Sequence, residues 1–197
     1  MSNNEQKYDA FIGHGRFRIH EHLSSKICSL LGICDLNVID STLRDERGWK
    51  LGRIPVEKLW HATLMPSFDY WAHIAFAAIG QSEIRGTIHP PKMVAAIVGF
   101  DKNTSKIVFE ASSPISEDYL EPELQSVNLM PKDNSRICLD GISYHIYIHG
   151  LEISSFFCLS NPDKPYQLKI VKAIEKTALQ IATTTENPRI KKYLDCD

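Results

Sequence analysis

The sequence predicts an α+β fold: an antiparallel sheet of about five strands built from hairpins, with helices packed on one face. Apolar runs of strand length alternate with turn residues from 92 to 160, a pattern that is typical of hairpins. Between two of these runs stands Asp140-Gly141, a strong signal for a two-residue hairpin loop. A helical stripe of apolar residues then follows between 168 and 181, and the sheet would cover it.

Length and charge narrow the class of protein. A chain of 197 residues has the size of one domain, so we expect a single domain over 1–197 with flexible ends at 1–7 and 189–197. The 22 basic and 24 acidic side chains nearly cancel, which disfavours non-specific nucleic-acid binding because that activity needs a basic surface. No apolar run approaches the ~18 residues of a membrane span, and the polar start lacks the features of a signal peptide. We therefore expect a cytoplasmic protein without a nucleic-acid or membrane partner and without a cofactor.

The first half of the chain gives mixed signals. Residues 8–13 are compatible with a short strand or a turn, and 40–52 with an exposed helix or a loop. Between them, apolar residues spaced four, three and one apart predict a helix over 22–31, which Gly32 would end; these residues are Leu23, Ile27, Leu30 and Leu31.

The densest apolar segment, 56–80, is interrupted by Pro66. We predict a short helix over 56–64 and a buried helix over 67–79, because Ala75, Ala77 and Ala78 favour helix. Strands are the alternative, since the run is too apolar for periodicity to decide. If exposed, 70–79 could also serve as a subunit interface.

The second half predicts strands more clearly. Two apolar runs, 93–100 and 105–111, flank the turn residues Asp101–Thr104 and predict a hairpin. Residues 112–134 are expected to form a long surface connection, followed by strands over 136–139, 142–149 and 151–159. Alternation in the middle strand places His145, Tyr147 and His149 on one face, which we expect to be the polar, partly solvated outer face of the sheet. The final helix carries its apolar stripe at Leu168, Val171, Ile174, Ala178 and Ile181.

A pair of histidines near the N-terminus is a candidate metal site. His20 and His22 would point the same way in a strand and could converge on one ion. A zinc site also needs a third protein ligand, and no spacing rule supplies one here. The alternative is an exposed entry into the helix over 22–31, so we predict no metal and keep His20 and His22 as the other possibility.

A second candidate is the tetrapeptide His61-Ala62-Thr63-Leu64. It resembles the His-x-Thr-Leu signature of two-histidine phosphoesterases. The resemblance implies a phosphodiester substrate, with a histidine in each of two such motifs acting as acid or base. This chain has only one copy, and a single histidine cannot be both general acid and general base. His61 and Thr63 therefore belong to an alternative hypothesis, a histidine-based or metal-dependent hydrolase that acts on a phosphoester.

An acidic segment offers a candidate protein-binding surface. Four carboxylates surround an aromatic ring within seven residues: Glu117, Asp118, Tyr119, Glu121 and Glu123. A rigid aromatic residue ringed by charge suits an interface, and the carboxylates would steer a basic partner towards it. The alternative is a solvated loop.

The C-terminal quarter carries a further resemblance. The stretch that begins Ile137-Cys-Leu-Asp-Gly-Ile-Ser-Tyr-His-Ile, with its following strand, Asn161-Pro162 and amphipathic helix, resembles small bacterial proteins of the toxin-immunity type. This implies a cytoplasmic protein that binds and does not catalyse. Our leading hypothesis is thus a non-catalytic inhibitor of a toxin or effector, with a basic toxin domain as partner; the sequence leaves the oligomeric state open.

Overall fold

The computed structural model describes residues 8–12, 15–19, 21–36, 40–44, 47, 49–66, 70–125, 142–149 and 154–195. Within them the chain forms eleven strands and four helices. The strands are β1 (Tyr8–Ile12), β2 (Gly15–Ile19), β3 (Asp40–Arg44), β4 (Lys50–Pro66), β5 (Trp71–Ile79), β6 (Ser82–Ile84), β7 (Thr87–His89), β8 (Lys92–Phe100), β9 (Ile107–Pro114), β10 (Ile142–His149) and β11 (Ser154–Ser160). The helices are α1 (Glu21–Leu31), α2 (Leu120–Gln125), α3 (Pro165–Thr184) and α4 (Pro188–Leu194).

One antiparallel sheet organises the fold. Its main path runs β11-β10-β4-β5-β8-β9, and β3, β6 and β7 extend it alongside the first half of β4. β1 and β2 form a separate hairpin. The α+β class and the antiparallel sheet are confirmed, whereas the sheet has nine strands where the sequence predicted about five. The additional strands come from 40–44, 50–79 and 82–89. Residues 40–52 were expected to be helix or loop and 56–79 to be helix with strand as the alternative, whereas no element was predicted for 82–89.

The two helices predicted over 56–79 are wrong, and the strand alternative holds. β4 pairs with β10 on one side and with β5 on the other, so it lies inside the sheet. β5 is buried along almost its whole length. A strand covered on both faces has a continuous apolar sequence instead of an alternating one. The alanines of such a strand therefore do not indicate a helix.

The helices cover both faces of the sheet, which corrects the expectation of one covered face. α3 packs on the face that contains Trp60, Ile74 and Ile97, together with α2 and α4. The opposite face receives α1, whose Leu23 and Ile27 pack against alanines and valines of β5 and β8. Two apolar faces on the central strands require two covers, because an exposed apolar face is unfavourable in water.

The predicted helix over 22–31 is confirmed as α1. Its buried side chains include Leu23, Ile27 and Leu31. Gly32 follows with φ of +73°, and the amide of Ile33 donates to the carbonyl of Cys28 at 3.0 Å. This left-handed glycine ends the helix as the sequence predicted.

The hairpin of β8 and β9 is also confirmed. Asp101 forms its turn: Oδ1 accepts hydrogen bonds from the amides of Asn103 and Thr104 at 3.0 and 2.8 Å. β10 and β11 pair as predicted, while the strand expected over 136–139 and the Asp140-Gly141 turn lie outside the described residues, as does the N-terminal stretch 1–7.

Residues 188–194 form α4, within the stretch 189–197 for which the sequence predicted a flexible end, and 196–197 lie outside the described residues. Asn187 caps α4 by accepting hydrogen bonds from the amides of Arg189 and Ile190. Ile190 is fully buried, and the ring of Tyr193 lies 5.4 Å from that of Phe109. None of the described helices is both long and apolar enough to cross a membrane.

A close contact between β8 and β9 gives a test of this packing. Gly99 lies opposite Phe109, and a Cβ at Gly99 would come within 2.2 Å of the Phe109 ring. Gly99→Ala should therefore lower the free energy of unfolding by about 1–3 kcal/mol, the usual cost of overpacking. Urea unfolding of Gly99→Ala and of the unsubstituted protein measures this loss of stability.

In a Phe109→Leu background the same Gly99→Ala change should cost clearly less, because the two side chains couple through direct contact. An equal cost in both backgrounds would contradict the contact.

Candidate functional site

The face of the sheet shared with α1 carries a group of aromatic polar side chains, which we call the histidine cluster: His61, His73, Tyr147 and His149. β4 supplies His61, which lies opposite Tyr147 of β10. β5 supplies His73, which lies opposite Thr63. Residues two apart in a strand share a face, so this pairing brings His149 and His73 diagonally next to His61.

His61 is the centre of the cluster. Its ring centroid lies 5.1 Å from that of His73, 4.7 Å from that of Tyr147 and 5.8 Å from that of His149. The rings of Tyr147 and His149 are nearly parallel to that of His61, at 13° and 18°. Phe156 of β11 continues the row beyond Tyr147, with 4.5 Å between ring centroids.

The imidazoles are buried. His61 is 5% exposed, His73 1% and His149 9%, whereas the sequence predicted a partly solvated outer face for His145, Tyr147 and His149. The alternation on β10 is confirmed, since Tyr144 and Ile146 face the α3 side. His149 is buried on this face, whereas His145 and Tyr147 are half-buried, as expected of a partly solvated face.

Hydrogen bonding in the cluster is incomplete among the described residues. The Nδ1 atom of His73 lies 2.9 Å from the Thr63 hydroxyl oxygen. The Nε2 atom of His73 and both ring nitrogens of His61 have no hydrogen-bond partner there. A buried polar atom without a partner costs about 1–3 kcal/mol, so these nitrogens are the polar atoms of this face that most need a partner.

Burial sets the charge state of these rings. It lowers the pKa of His73 to about 4 and that of His145 likewise to about 4. The pKa of His61 falls well below its usual value, through burial first and then through the neighbouring His73 and His149. Burial also lowers the pKa of His149, against a smaller raising effect of Asp35. All four imidazoles are thus neutral at pH 7 and keep a lone pair available to accept a proton.

The structure gives no support to a metal ion at these positions. Within the described ranges, no three His, Cys, Asp or Glu side chains are arranged to hold one. For the alternative metal pair, His20 lies outside the described residues, and of His22 only the backbone, in the first turn of α1, is described.

The acidic segment, Glu117–Glu123, is attached to the α3 face of the sheet. Asp118 Oδ1 accepts hydrogen bonds from the indole Nε1 of Trp60 at 3.0 Å and from the amide of Leu120 at 3.0 Å. Lys58 forms ion pairs with Asp118 and Glu121. Asp118 and Glu121 therefore fix the start of α2 to β4, and we call these two residues the clasp.

The remaining members of the segment face outwards to different degrees. The Tyr119 hydroxyl donates to Gln180 at 2.9 Å, and Lys176 Nζ lies 3.9 Å from the centre of its ring. Glu117 is the more open carboxylate, with 61% of its side chain exposed, and it pairs with Lys176 at 3.8 Å. Glu123, in the first turn of α2, is partly buried.

His61 and Thr63 lie on the same buried face of β4, next to His73, Tyr147 and His149. Sequence reasoning missed His73 because β5 was expected to be a helix. It named His149 but had no means to place β10 beside β4. The signal available in the sequence was that His61, His73 and His149 all lie within apolar stretches. Whether they share a face of the sheet can be judged only after the strand pairing is known.

Comparisons with known proteins add no assignment. No protein-family model, no curated protein and no solved structure matches this chain.

Thr63 and His73 give a test of the buried hydrogen bond. Thr63→Val keeps the side-chain shape but leaves Nδ1 of His73 buried without its partner, so we expect a loss of about 1–3 kcal/mol in the free energy of unfolding. Thr63→Ser keeps the hydroxyl and serves as the matched control. Urea unfolding at pH 7.5 compares the two, and a smaller loss for valine than for serine would contradict the hydrogen bond.

Proposed function

We propose that the protein is a histidine-based hydrolase that acts on a phosphoester, with its site at the histidine cluster. The observation that carries this proposal is the position of His149. The tetrapeptide motif lacked a second histidine, and β10 brings one to a ring distance of 5.8 Å from His61. Two adjacent imidazoles can divide the work of acid and base between them.

Hydrolysis requires two proton transfers, and each of the two imidazoles carries out one of them. The neutral ring of one histidine accepts a proton from water as the water oxygen bonds to phosphorus. The protonated ring of the other donates its proton to the leaving oxygen as the bond between phosphorus and that oxygen breaks. A bound phosphoester carries negative charge, which raises the pKa of a neighbouring imidazole and so favours the imidazolium that this step needs.

In this proposal the substrate approaches the cluster from the β10–β11 side. His145, Tyr147 and Phe156 are half-buried there, whereas the β5–β8 side is closed by apolar residues of α1 and β8. A substrate that approaches from β11 therefore meets aromatic rings before it reaches His61.

Hydrolysis of bis(4-nitrophenyl) phosphate by the purified full chain tests the proposal. His61→Asn and His149→Asn should each lower the rate at least 100-fold, the lower bound for general acid–base catalysis. His89→Asn is the matched control, because His89 lies exposed on β7, and it should leave the rate unchanged.

Two outcomes would reject this function: no hydrolysis by the unsubstituted protein, or equal losses in all three variants. Circular dichroism shows whether each variant is folded. Dialysis against EDTA separates the two forms of the hypothesis, since a histidine-only enzyme keeps its activity and a metal-dependent one loses it.

A second candidate function is a non-catalytic cytoplasmic binding protein of the immunity type, which captures a basic toxin domain through the acidic segment. One observation favours it: Tyr119 is held rigidly by Gln180 and Lys176. A fixed aromatic residue loses little conformational entropy on binding. Glu117 and Glu123 would steer the partner.

The structure sharpens the test of this candidate. Asp118 and Glu121 form the clasp, so their reversal would disturb the fold; Glu117→Lys combined with Glu123→Lys spares it. This double variant should bind a purified basic toxin domain encoded beside the chain at least tenfold more weakly than the unsubstituted protein. Glu83→Lys, at an exposed position of β6, is the control. Unchanged binding by the double variant would remove the acidic segment from the interface.

A further inference from the structure

Four of the five histidines in the described strands lie in one part of the sheet, and the fifth, His89, lies apart on β7. β10 contributes His145 and His149, β4 contributes His61, and β5 contributes His73. β8, β9 and β11 contain no histidine, nor does the α3 face carry one. Protonation of these rings therefore acts on the β10–β4–β5 part of the sheet and leaves the β8–β9 hairpin untouched.

Few described charged groups face the cluster. β11 contributes Cys158, opposite His145, and its pKa is raised by burial, so this thiol is neutral at pH 7. Tyr147 is also neutral, because burial raises the pKa of its phenol to about 12. β8 presents Ala96 and Val98 on this face, and Lys26 of α1 is paired with Glu110 of β9. Among the described residues, the carboxylate of Asp35 acts on His149 and raises its pKa, against the larger effect of burial.

We propose that the histidine cluster is an acid-sensitive latch: when its imidazoles take up protons, the β10–β11 hairpin separates from β4 while the rest of the sheet stays folded. The proposal goes beyond phosphoester hydrolysis and does not depend on any turnover.

The contacts of the cluster explain why opening follows protonation. His61 stacks on Tyr147 and His149 across the β4–β10 boundary, and neutral rings can stack there without charge. A proton on His61 would place a buried cation among rings that include two further imidazoles, and a buried charge without a counter-charge is strongly unfavourable. Separation of β10 from β4 returns His61, His145 and His149 to water, where the charged form is stable.

The position of the hairpin makes local opening easier than global unfolding. β11 is an edge strand, and of its side chains that the structure describes, one (Leu159) is buried and five are half-buried or exposed. β10 joins the sheet through β4 alone. Such peripheral elements open locally at a lower free energy than the core does.

The direction with pH follows from the depressed pKa values. In the closed state these imidazoles are neutral, and in the open state they titrate near 6.5. Acid therefore favours the open state, starting near pH 6.5 and continuing down to the closed-state pKa, about 4 for His145. At pH 5.5, each released imidazole with this shift should raise the population of the open state about tenfold over that at pH 7.5.

Hydrogen exchange followed by mass spectrometry tests the latch on the full chain. Protection factors, corrected for the pH dependence of intrinsic exchange, are compared at pH 7.5 and 5.5. We expect peptides from β10–β11 to lose at least tenfold in protection at pH 5.5, and peptides from β8–β9 to lose less than threefold.

Two variants identify the groups responsible. His61→Phe and His149→Phe keep an aromatic ring and cannot take up a proton, so each should reduce the acid-induced loss in β10–β11 by threefold or more. His89→Phe, outside the cluster on β7, should respond as the unsubstituted chain does. Use of both cluster variants keeps the test valid if one of them fails to fold.

Three results would overturn the proposal: no loss of protection in β10–β11 at pH 5.5, a parallel loss in β8–β9, or an undiminished acid response in every folded cluster variant. Each is distinguishable from failure of the hydrolysis hypothesis, because exchange requires no substrate.

Discussion

The structure depends on β4 being covered on both of its faces while it is paired on both of its edges. Its even-numbered residues Trp60, Ala62 and Leu64 belong to the core under α3, and Trp60 stacks on Phe76 of β5 with 5.8 Å between ring centroids. Its odd-numbered residues His61 and Thr63 are buried on the other face. The side chains of residues 59–64 are buried, so a polar group among them must be satisfied by its neighbours or carry a free-energy cost.

That constraint accounts for the different surroundings of the polar groups on the two faces of β4. Lys58 lies on the α3 side near the end of the buried stretch, and it finds Asp118 and Glu121 there. The indole nitrogen of Trp60 finds the same Asp118. The acidic segment thus satisfies the polar groups of one face. On the other face, His61 finds only aromatic rings among the described residues, and neutral imidazoles are the form that such surroundings tolerate.

The two proposed functions use different faces of this strand. Hydrolysis and the acid-sensitive latch belong to the α1 side, where unsatisfied nitrogens are concentrated. Partner binding belongs to the α3 side, where carboxylates beyond those of the clasp face outwards. The two faces are separated by the thickness of the sheet, so a substitution on one can be designed without contact with the other.

Local sequence patterns were sufficient to predict the elements that have one buried face and one more exposed face. They predicted α1 and its glycine end, the β8–β9 hairpin with Asp101 in its turn, the pairing of β10 with β11, and the final long helix. They failed where both faces are covered: β4 and β5 have no alternation, and their alanines suggested helix. The short helix α4 was missed because its stability comes from Ile190 and Tyr193 packing on distant residues.

By itself the sequence determined the α+β class, the antiparallel hairpins and the chemical types available: one His-x-Thr motif, an alternating His-x-Tyr-x-His strand and an acidic segment. Only the tertiary structure decided which of them meet. Side-chain parity along a strand is a local property and can be read from the sequence, whereas strand order is set by which surfaces bury each other best. Because β10 pairs with β4, and β4 with β5, histidines from three separate stretches of chain share one buried site.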